Sequence, residues 1–354
     1  MNIRRPLHSE MEEVIVAHDE ITGFHAVIAI HSTLLGPAVC GTRFRHYHNE
    51  QEALEDATKT APQATNRAAL ANIPFGGASA AVFCRAGEED KRAQFFRSFG
   101  KLIDTLEGQV IATEDLGCNM EDVNNIKNST PFCCGGSNGG PGDSAYFTAL
   151  GVLRSIEACV RHVYKTNSLQ DVKVAVLGVG RVGFQLCEML HIAGVKLYVA
   201  DIFSEHVQRA QEELGAKVIR PREIIEQKVD VISPCAIGSL LDDSTIPRLN
   251  CKIIAGSSNN QLVKPYRHAR MIHNRELIYA PDFAVNAGAL YTNACEIDNH
   301  DASYSTILVN GIHDTIDRIL QNSDKENIPT YDIAMKMVKD KLRRYKARKI
   351  TQYL

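Results

Sequence analysis

The stretch VAVLGVGRVGFQL carries three glycines at the spacing of a dinucleotide-binding turn: Gly178, Gly180 and Gly183. They follow a β-branched run and open a helical pattern, which is the context that this motif requires. The first glycine allows a tight bend, the second lets the backbone approach a pyrophosphate, and the third lets helix pack on strand. The helix N-terminus adds a positive dipole beside Arg181 and Val182. The motif predicts a nucleotide site; the alternatives are a structural glycine turn without nucleotide and an Arg181 that only faces solvent.

An acidic residue, Asp201, closes the next strand-like segment, KLYVAD. An aspartate at this point accepts hydrogen bonds from both ribose hydroxyls and repels a 2′-phosphate. The sequence therefore favours NAD over NADP as the cofactor.

Strand-like and helix-like segments alternate around this motif, which is typical of a doubly wound parallel sheet. The strand segments are VKVAVLG (172–178), KLYVAD (196–201), VDVISPCA (229–236), KIIAG (252–256) and LIYAP. Helices are predicted from Arg181 and over 204–214. The expected fold class is α/β, with a Rossmann domain in the C-terminal half.

The N-terminal half mixes strands and helices. HAVIAIHS (25–32) reads as a strand, and 50–61 as a helix that Pro62 ends. A second helix is predicted over 90–106. The glycine- and proline-rich stretch PFCCGGSNGGPGDS (131–144) predicts a loop or hinge.

That loop is the best domain boundary in the sequence. We expect a substrate and oligomerisation domain over 1–140, completed by a C-terminal helix over about 328–354, and an NAD domain over 141–327. The basic amphipathic segment 331–350 supplies that helix. Its charged side is interpreted as a solvated face, with a recognition helix as the alternative.

Composition excludes several classes of protein. The 354 residues are 44% hydrophobic and 23% charged, which is ordinary for a globular protein. The net charge of −3 gives no electrostatic case for nucleic acid or an anionic membrane. No apolar run approaches the roughly 18 residues of a membrane span, and the N-terminus does not resemble a secretory signal. We expect a cytoplasmic protein.

Ten cysteines are scattered along the chain, and none has the paired spacing of a zinc site. No other residue spacing demands a metal. The cysteines are interpreted as small buried hydrophobic residues, with a redox disulfide between the adjacent Cys133 and Cys134 as the alternative.

Several further segments resemble one enzyme family in the expected order, from about residue 12 to 340. They are LGPAVCGTRFRHY, IATEDLG, SPCAIGSLLDDSTIP, IIAGSSNNQL and APDFAVNAGAL. The chain resembles the Glu/Leu/Phe/Val amino-acid dehydrogenases, most closely the leucine, phenylalanine and tryptophan dehydrogenase branch. The resemblance implies a homo-oligomer with a substrate cleft between two domains, and reversible NAD-dependent deamination of an amino acid.

The resemblance also implies two lysines and an aspartate in the substrate site, and only the aspartate is present, as Asp115. The position that grips the substrate carboxylate holds Arg67, and the position of the catalytic base, twelve residues later in PFGGASAAVF, holds Ser79. A serine cannot act alone as a general base near neutral pH. With the lysine absent, Asp115 is expected to lose a cationic neighbour and to act as acid or base itself. The alternatives are a loop carboxylate for Asp115 and a surface arginine for Arg67.

The remaining family positions are assigned by the same resemblance. Ala64 opens the side-chain pocket, which Leu290 and Asn293 also line, so a larger or partly polar substrate is expected. The residues at the substrate carboxylate are Cys40 and Gly41. The remaining cofactor contacts are Thr148, Ala236, Asn260 and Asn286.

Three readings stay open. The first is an NAD-dependent oxidoreductase that acts on the C–N bond of an amino acid, imine or related amine without the standard imine hydrolysis. The second is a slow deaminating dehydrogenase that uses Asp115 or water, and the third is a non-catalytic NAD-binding homologue.

Overall fold

The computed structural model describes residues 1–84, 89–136, 143–236 and 238–352. The chain forms two compact units: Met1–Pro141, Thr292–Ala302 and Val338–Leu354 make the first, and Gly142–Tyr291 and Ser303–Met337 make the second. No local feature of the sequence predicts that Thr292–Ala302 belongs to the first unit, whereas the residues on both sides of it belong to the second. Part of the predicted boundary loop, residues 137–142, lies outside the described residues, and the assignment of substrate and NAD domains stays a prediction.

Six strands form the sheet of the first unit. They are β1 (Asn2–Arg4), β2 (Glu13–Asp19), β3 (Phe24–Ser32), β4 (Ala38–His46), β5 (Gly76–Cys84) and β6 (Val110–Glu114). Their order is β1-β2-β3-β5-β4-β6, and β4 runs parallel to both of its neighbours. The predicted strand over 25–32 is confirmed as β3.

Helices cover both faces of this sheet: α1 (Glu50–Ala71), α2 (Arg92–Asp104) and α3 (Met120–Lys127). Successive strand residues point to opposite faces, so each strand contributes to two cores. On one side Ala53, Ala57 and Ala61 of α1 pack with Val27 and Phe83. On the other side a phenylalanine cluster of α2 packs against the alternate strand residues.

Helix α1 continues through Pro62, so the predicted break at this residue is wrong. Proline inside a helix costs about 3 kcal/mol, because it cannot donate a hydrogen bond to the carbonyl four residues back. Here the alanine stripe of α1 is completely buried on the sheet. Asn49 also caps the helix by accepting a 2.9 Å hydrogen bond from the backbone N–H of Glu52. Packing and capping together outweigh the lost bond.

The second unit is built on a six-stranded parallel sheet, as predicted. The strands are β7 (Lys173–Leu177), β8 (Lys196–Ala200), β9 (Lys217–Val218), β10 (Val231–Pro234), β11 (Ile253–Ile254) and β12 (Ile278–Tyr279). Their order, β12-β11-β10-β7-β8-β9, is that of a doubly wound Rossmann sheet. The sheet places the carboxyl ends of β7, β8 and β10 at one edge.

Nine further helices lie in the described part of the chain, some of them with residues in the first unit. They are α4 (Ser144–Tyr164), α5 (Arg181–Ile192), α6 (Ser204–Leu214), α7 (Pro265–Asn274), α8 (Asp282–Val285), α9 (Gly288–Ile297), α10 (Ala302–Asn310), α11 (Ile312–Glu326) and α12 (Thr330–Gln352). The helices predicted from Arg181, over 204–214 and in the tail are confirmed.

Nine of the cysteines, including the adjacent Cys133 and Cys134, are free thiols. Burial raises the pKa of Cys134 to about 12, so its thiolate is scarce at neutral pH. This supports the interpretation of small buried residues over that of a redox pair. Among the described helices, none combines the length and apolarity that crossing a bilayer requires.

Candidate functional site

Two of the three motif glycines are required by the packing of the turn. Gly178 has a φ of +94°, and a Cβ there would lie 2.5 Å from the backbone nitrogen of Ala236. A Cβ on Gly183 would lie 1.9 Å from the carbonyl oxygen of Gly178. These contacts bring α5 and the carboxyl end of β10 close to the turn after β7.

Gly180 differs from both, because a Cβ there would meet no atom within 4 Å. Gly180 precedes the first residue of α5, and no side chain caps the helix at this end. The first N–H groups of a helix lack intrahelical partners and attract anions. Open space at the start of an uncapped helix fits the pyrophosphate of a dinucleotide.

Asp201 follows β8 directly and its carboxylate turns toward the glycine turn. It accepts hydrogen bonds from the backbone N–H of Val179 (2.7 Å) and of Phe203 (3.0 Å). The Nδ1 atom of His206 lies 3.3 Å from Asp201 Oδ2. Burial alone would raise the pKa of Asp201, but the two N–H donors and His206 lower it below the ordinary value. The carboxylate is therefore ionised at neutral pH.

The other predicted cofactor residues make local contacts. Exposed Arg181 pairs with Asp143 at 2.9 Å, and Thr148 donates to the carbonyl of Ser144 at 2.8 Å. Val182 lies in the first turn of α5.

The last predicted cofactor residues are two asparagines and an alanine. Asn286 donates to the Ser257 carbonyl (3.1 Å) and to Asn259 Oδ1 (2.7 Å), which fixes the loop after β11. Asn260 in that loop has a left-handed φ of 53°. Exposed Ala236 follows β10 next to Gly178. Contact of any of these residues with the cofactor stays a prediction.

A pair of glycine substitutions separates ligand binding from folding. Gly180→Ala is expected to keep the melting temperature, because the added methyl group enters open space, but to weaken NADH binding by filling that space. The matched variant Gly183→Ala should lower the melting temperature through its backbone clash. Thermal melts and NADH fluorescence titrations measure both effects. Unchanged NADH affinity in Gly180→Ala would contradict a pyrophosphate at this point.

The substrate residues predicted from the N-terminal half lie on β4, β5, α1 and the end of β6. Ser79 on β5 is opposite Gly41 of β4 in the parallel register. Its side chain faces α1, where the hydroxyl oxygens of Ser79 and Thr60 are hydrogen-bonded at 2.7 Å. Ser79 is only 2% exposed. Position 79 is thus closed by a hydroxyl pair.

Asp115 lies just beyond β6 and stays accessible, with 26% of its side chain exposed. The backbone N–H of Leu116 donates to its Oδ1 atom at 2.7 Å. A Cβ on Gly41 would lie 2.8 Å from the Oδ2 atom, so only glycine leaves room for the carboxylate in this position. Gly41 therefore positions Asp115, a role that the sequence did not indicate.

Arg43 supplies a cation beside Asp115, and the expected loss of a further cationic neighbour relative to the family stays a prediction. Its Nη1 atom lies 3.5 Å from Asp115 Oδ2, and its Nε donates to Asp56 Oδ2 at 2.8 Å. The Tyr47 hydroxyl donates to the same Asp56 oxygen at 2.7 Å. Burial lowers the pKa of Arg43, but the carboxylates of Asp115 and Asp56 outweigh burial and raise it above the ordinary value.

Sequence reasoning missed Arg43, although a signal exists. The signal is the alternation of side chains along a strand, which places Arg43 on the same face of β4 as Gly41, since the two are two residues apart. On α1, Asp56 and Thr60 are one helical turn apart. Both polar residues belong to the helix that covers this face of the sheet. A buried arginine requires such a carboxylate.

Cys40 does not line this site, which corrects its predicted contact with the substrate carboxylate. The same alternation turns its thiol into the core beneath α2, where it is completely buried. Burial raises its pKa well above the ordinary value. Arg67 and Ala64 are half-buried on α1. On α9, Leu290 is buried and Asn293 is half-buried; their roles in a substrate pocket stay predictions.

Two family models match the chain. Residues 8–131 match "Glu/Leu/Phe/Val dehydrogenase, dimerisation domain", and residues 198–346 match "Glutamate/Leucine/Phenylalanine/Valine dehydrogenase". This family uses NAD or NADP.

Individual relatives cover nearly the whole chain. The leucine dehydrogenase of Bacillus subtilis (strain 168) is 38% identical over 98% of this chain and 94% of its own. The L-tryptophan dehydrogenase of Nostoc punctiforme (strain ATCC 29133 / PCC 73102) is 37% identical over 94% of this chain and 93% of its own. The crystal structure of L-tryptophan dehydrogenase from Nostoc punctiforme superposes with a TM-score of 0.79, at 35% identity, over 95% of this chain and 97% of that one. The chain belongs to the Glu/Leu/Phe/Val family of amino-acid dehydrogenases, oxidoreductases that act on CH–NH₂ groups.

Proposed function

We propose that this protein transfers hydride to or from the carbon of a C–N bond in an amino-acid-like substrate, without the imine hydrolysis of a deaminating dehydrogenase. The observation that carries the proposal is the closed pair of Ser79 and Thr60, because no basic side chain stands at position 79 to activate water. Reduction of a preformed imine, or oxidation of an amine whose imine is consumed elsewhere, needs no such base.

Asp115 is the proposed acid–base residue. When a C–N bond is oxidised, the carbon loses hydride, nitrogen forms a double bond to that carbon, and one proton leaves the nitrogen. NAD, when bound, takes up the hydride. Asp115 accepts the proton and returns it in the reverse direction, because 26% of its side chain is exposed and its Oδ2 atom lies 3.5 Å from Arg43 Nη1.

Arg67 is the proposed carboxylate-binding residue. A guanidinium can bind a carboxylate through two parallel hydrogen bonds, whereas a lysine acts as a point charge. Arg67 on α1 would therefore hold the substrate in a different pose from a lysine. With Ala64, Leu290 and Asn293 lining the pocket, a substrate larger or more polar than leucine fits best, with an aromatic side chain as one example.

NAD is the proposed cofactor, supported by the open space at Gly180 and by ionised Asp201. We further propose a cytosolic homo-oligomer, supported by the free thiols and by the match of residues 8–131 to a dimerisation domain. Light scattering after gel filtration tests the assembly; a monomer would contradict it.

The function is tested by following NADH oxidation with two sets of substrates. Preformed cyclic imines of amino acids are expected to be reduced, whereas 2-oxo acids with ammonia, which pass through attack on a carbonyl and loss of water, should give no turnover. Fast turnover of 2-oxo acids with ammonia would favour the deaminating dehydrogenase. Binding of NADH with no turnover of either set would refute the proposed reaction.

Restoring a lysine tests the role of position 79. Ser79→Lys is expected to introduce slow ammonia-dependent turnover of 2-oxo acids that the parent protein lacks, because it restores a base beside Asp115. Ser79→Ala is the control for loss of the Thr60 hydrogen bond and should leave imine reduction close to the parent rate. Equal ammonia-dependent rates in the parent and in Ser79→Lys would show that position 79 does not limit deamination.

A further inference from the structure

The guanidinium of Arg43 carries hydrogen-bond donors that the described part of the chain leaves unused. Its Nε atom donates to Asp56 Oδ2 at 2.8 Å, but neither Nη atom donates a hydrogen bond to any residue that the structure describes. The side chain is only 10% exposed. Because a buried N–H group without an acceptor is unfavourable, the Nη groups are suited to an acceptor that a ligand supplies.

The carboxylate of Asp115 lies beside these donors without accepting from them. Its Oδ2 atom is 3.5 Å from Arg43 Nη1, longer than the roughly 2.7–2.9 Å of a charge-assisted hydrogen bond. The Oδ1 atom accepts the N–H of Leu116, whereas Oδ2 accepts no hydrogen bond from residues in the described ranges. A donor and an acceptor thus lie side by side, and each can take a hydrogen bond from or to a ligand.

Buried contacts fix the orientation of this guanidinium. Asp56 on α1 accepts the Arg43 Nε bond and, on the same oxygen, a 2.7 Å bond from the hydroxyl of buried Tyr47. Burial and the Asp56 carboxylate raise the pKa of Tyr47, so the hydroxyl keeps its proton. A donor group that is held in this way needs little rearrangement when it binds a ligand.

The space next to the pair is kept open by a glycine. Gly41 is half-buried, and a Cβ at this position would lie 2.8 Å from Asp115 Oδ2. The side chain of Asp115 itself is 26% exposed. A small ligand can therefore reach the carboxylate from solvent.

The charges of this group suit a zwitterion. One guanidinium between the carboxylates of Asp56 and Asp115 leaves a single excess negative charge, which repels a simple anion. An amino acid carries an ammonium group and a carboxylate on one carbon atom, so it offers a cation to Asp115 and acceptor oxygens to Arg43. An amine without a carboxylate would leave the Nη donors unused.

We propose that Arg43 is a substrate-binding residue, whose Nη groups hydrogen-bond the substrate carboxylate while Asp115 contacts the reacting nitrogen. The inference rests on the proposed function and narrows it to amino or imino acids that carry a carboxylate on the reacting carbon. It adds to the proposed role of Arg67, because a carboxylate has two oxygens and can accept from two guanidinium groups.

Calorimetry in the presence of NADH tests this role. Leucine, phenylalanine and tryptophan are titrated beside the matched amines that lack the carboxylate: isoamylamine, phenethylamine and tryptamine. At least one amino acid should bind the parent protein at least about tenfold more tightly than its amine. Arg43→Lys should remove most of this preference, because a lysine that pairs with Asp56 has no second donor group for the ligand. Arg45→Lys, at an exposed position of the same strand, is the matched control and should keep the preference.

The possible outcomes separate this inference from the proposed function. The binding experiment needs no turnover, so an Arg43-dependent preference for amino acids would support the inference even if no imine were reduced. Conversely, imine reduction with an unchanged preference in Arg43→Lys would overturn the inference and leave the proposed reaction intact. Equal affinity of the parent for each amino acid and its amine, or no binding of any amino acid, would overturn it without the variant. A merely structural role of Arg43 would weaken both ligands of a pair equally, which would also overturn it.

Discussion

Asp115→Asn is expected to lower kcat by roughly 10²–10⁴-fold in whichever C–N substrate the protein turns over, the usual contribution of a positioned acid or base. Asparagine keeps the shape of the side chain, can still accept the Leu116 N–H bond, and cannot accept the proton. The loss should appear in kcat. The dissociation constant of NADH should stay unchanged, because the cofactor is proposed to bind to the second unit and Asp115 belongs to the first.

The adjacent acidic residue gives the control for this substitution. Glu114→Gln changes the same charge one residue earlier, in the last position of β6. Its turnover should stay close to that of the parent. If Asp115→Asn retains parental kcat, Asp115 is a loop carboxylate and the proposed acid–base role fails.

Arg43→Met is expected to lower the free energy of unfolding by about 3–5 kcal/mol, because it leaves the largely buried Asp56 carboxylate without its charged partner. The side chains of Arg43 and Asp56 are only 10% and 18% exposed, so water cannot replace the lost contact. The same variant should lower kcat, since Asp115 loses the guanidinium that holds its Oδ2 atom. Urea unfolding and steady-state kinetics measure the two effects.

Arg45 provides a matched control on the same strand. It lies 3.9 Å from Glu52, with both side chains largely exposed, and Arg45→Met should cost less than about 1 kcal/mol. Arg43→Lys keeps the charge and should recover part of the lost stability and turnover. Equal destabilisation by Arg43→Met and Arg45→Met would show that the buried network does not stabilise the first unit. Asp56→Asn gives the same comparison if Arg43→Met does not fold.

The fold of the second unit could be predicted largely from local pattern. A glycine turn between strand and helix is specified by a few consecutive residues, and the steric demands at Gly178 and Gly183 are met within the motif and at the neighbouring strand end. The position of Asp201 at the carboxyl end of β8 follows from the length of that strand alone. The alternation of strands and helices then defines the parallel sheet.

The sequence predicted the surroundings of a residue less well where the contacting residues come from distant segments of the chain. The expected break at Pro62 ignored the buried alanine stripe, whose packing energy is invisible to a local rule. The sequence also did not indicate that Arg43 lies beside Asp115. The structure provides a cation from another strand, Arg43, and a carboxylate from α1 to hold it.

The sequence by itself determined the family, the glycine turn between strand and helix, and the serine at position 79. These are properties of residue types at fixed spacing along the chain. Only the tertiary structure decided that Ser79 is closed by Thr60, that Cys40 faces the opposite core, and that Arg43 lies beside Asp115. The physical reason is that side-chain direction and electrostatic partnership depend on strand register and helix packing, which join residues far apart in the chain.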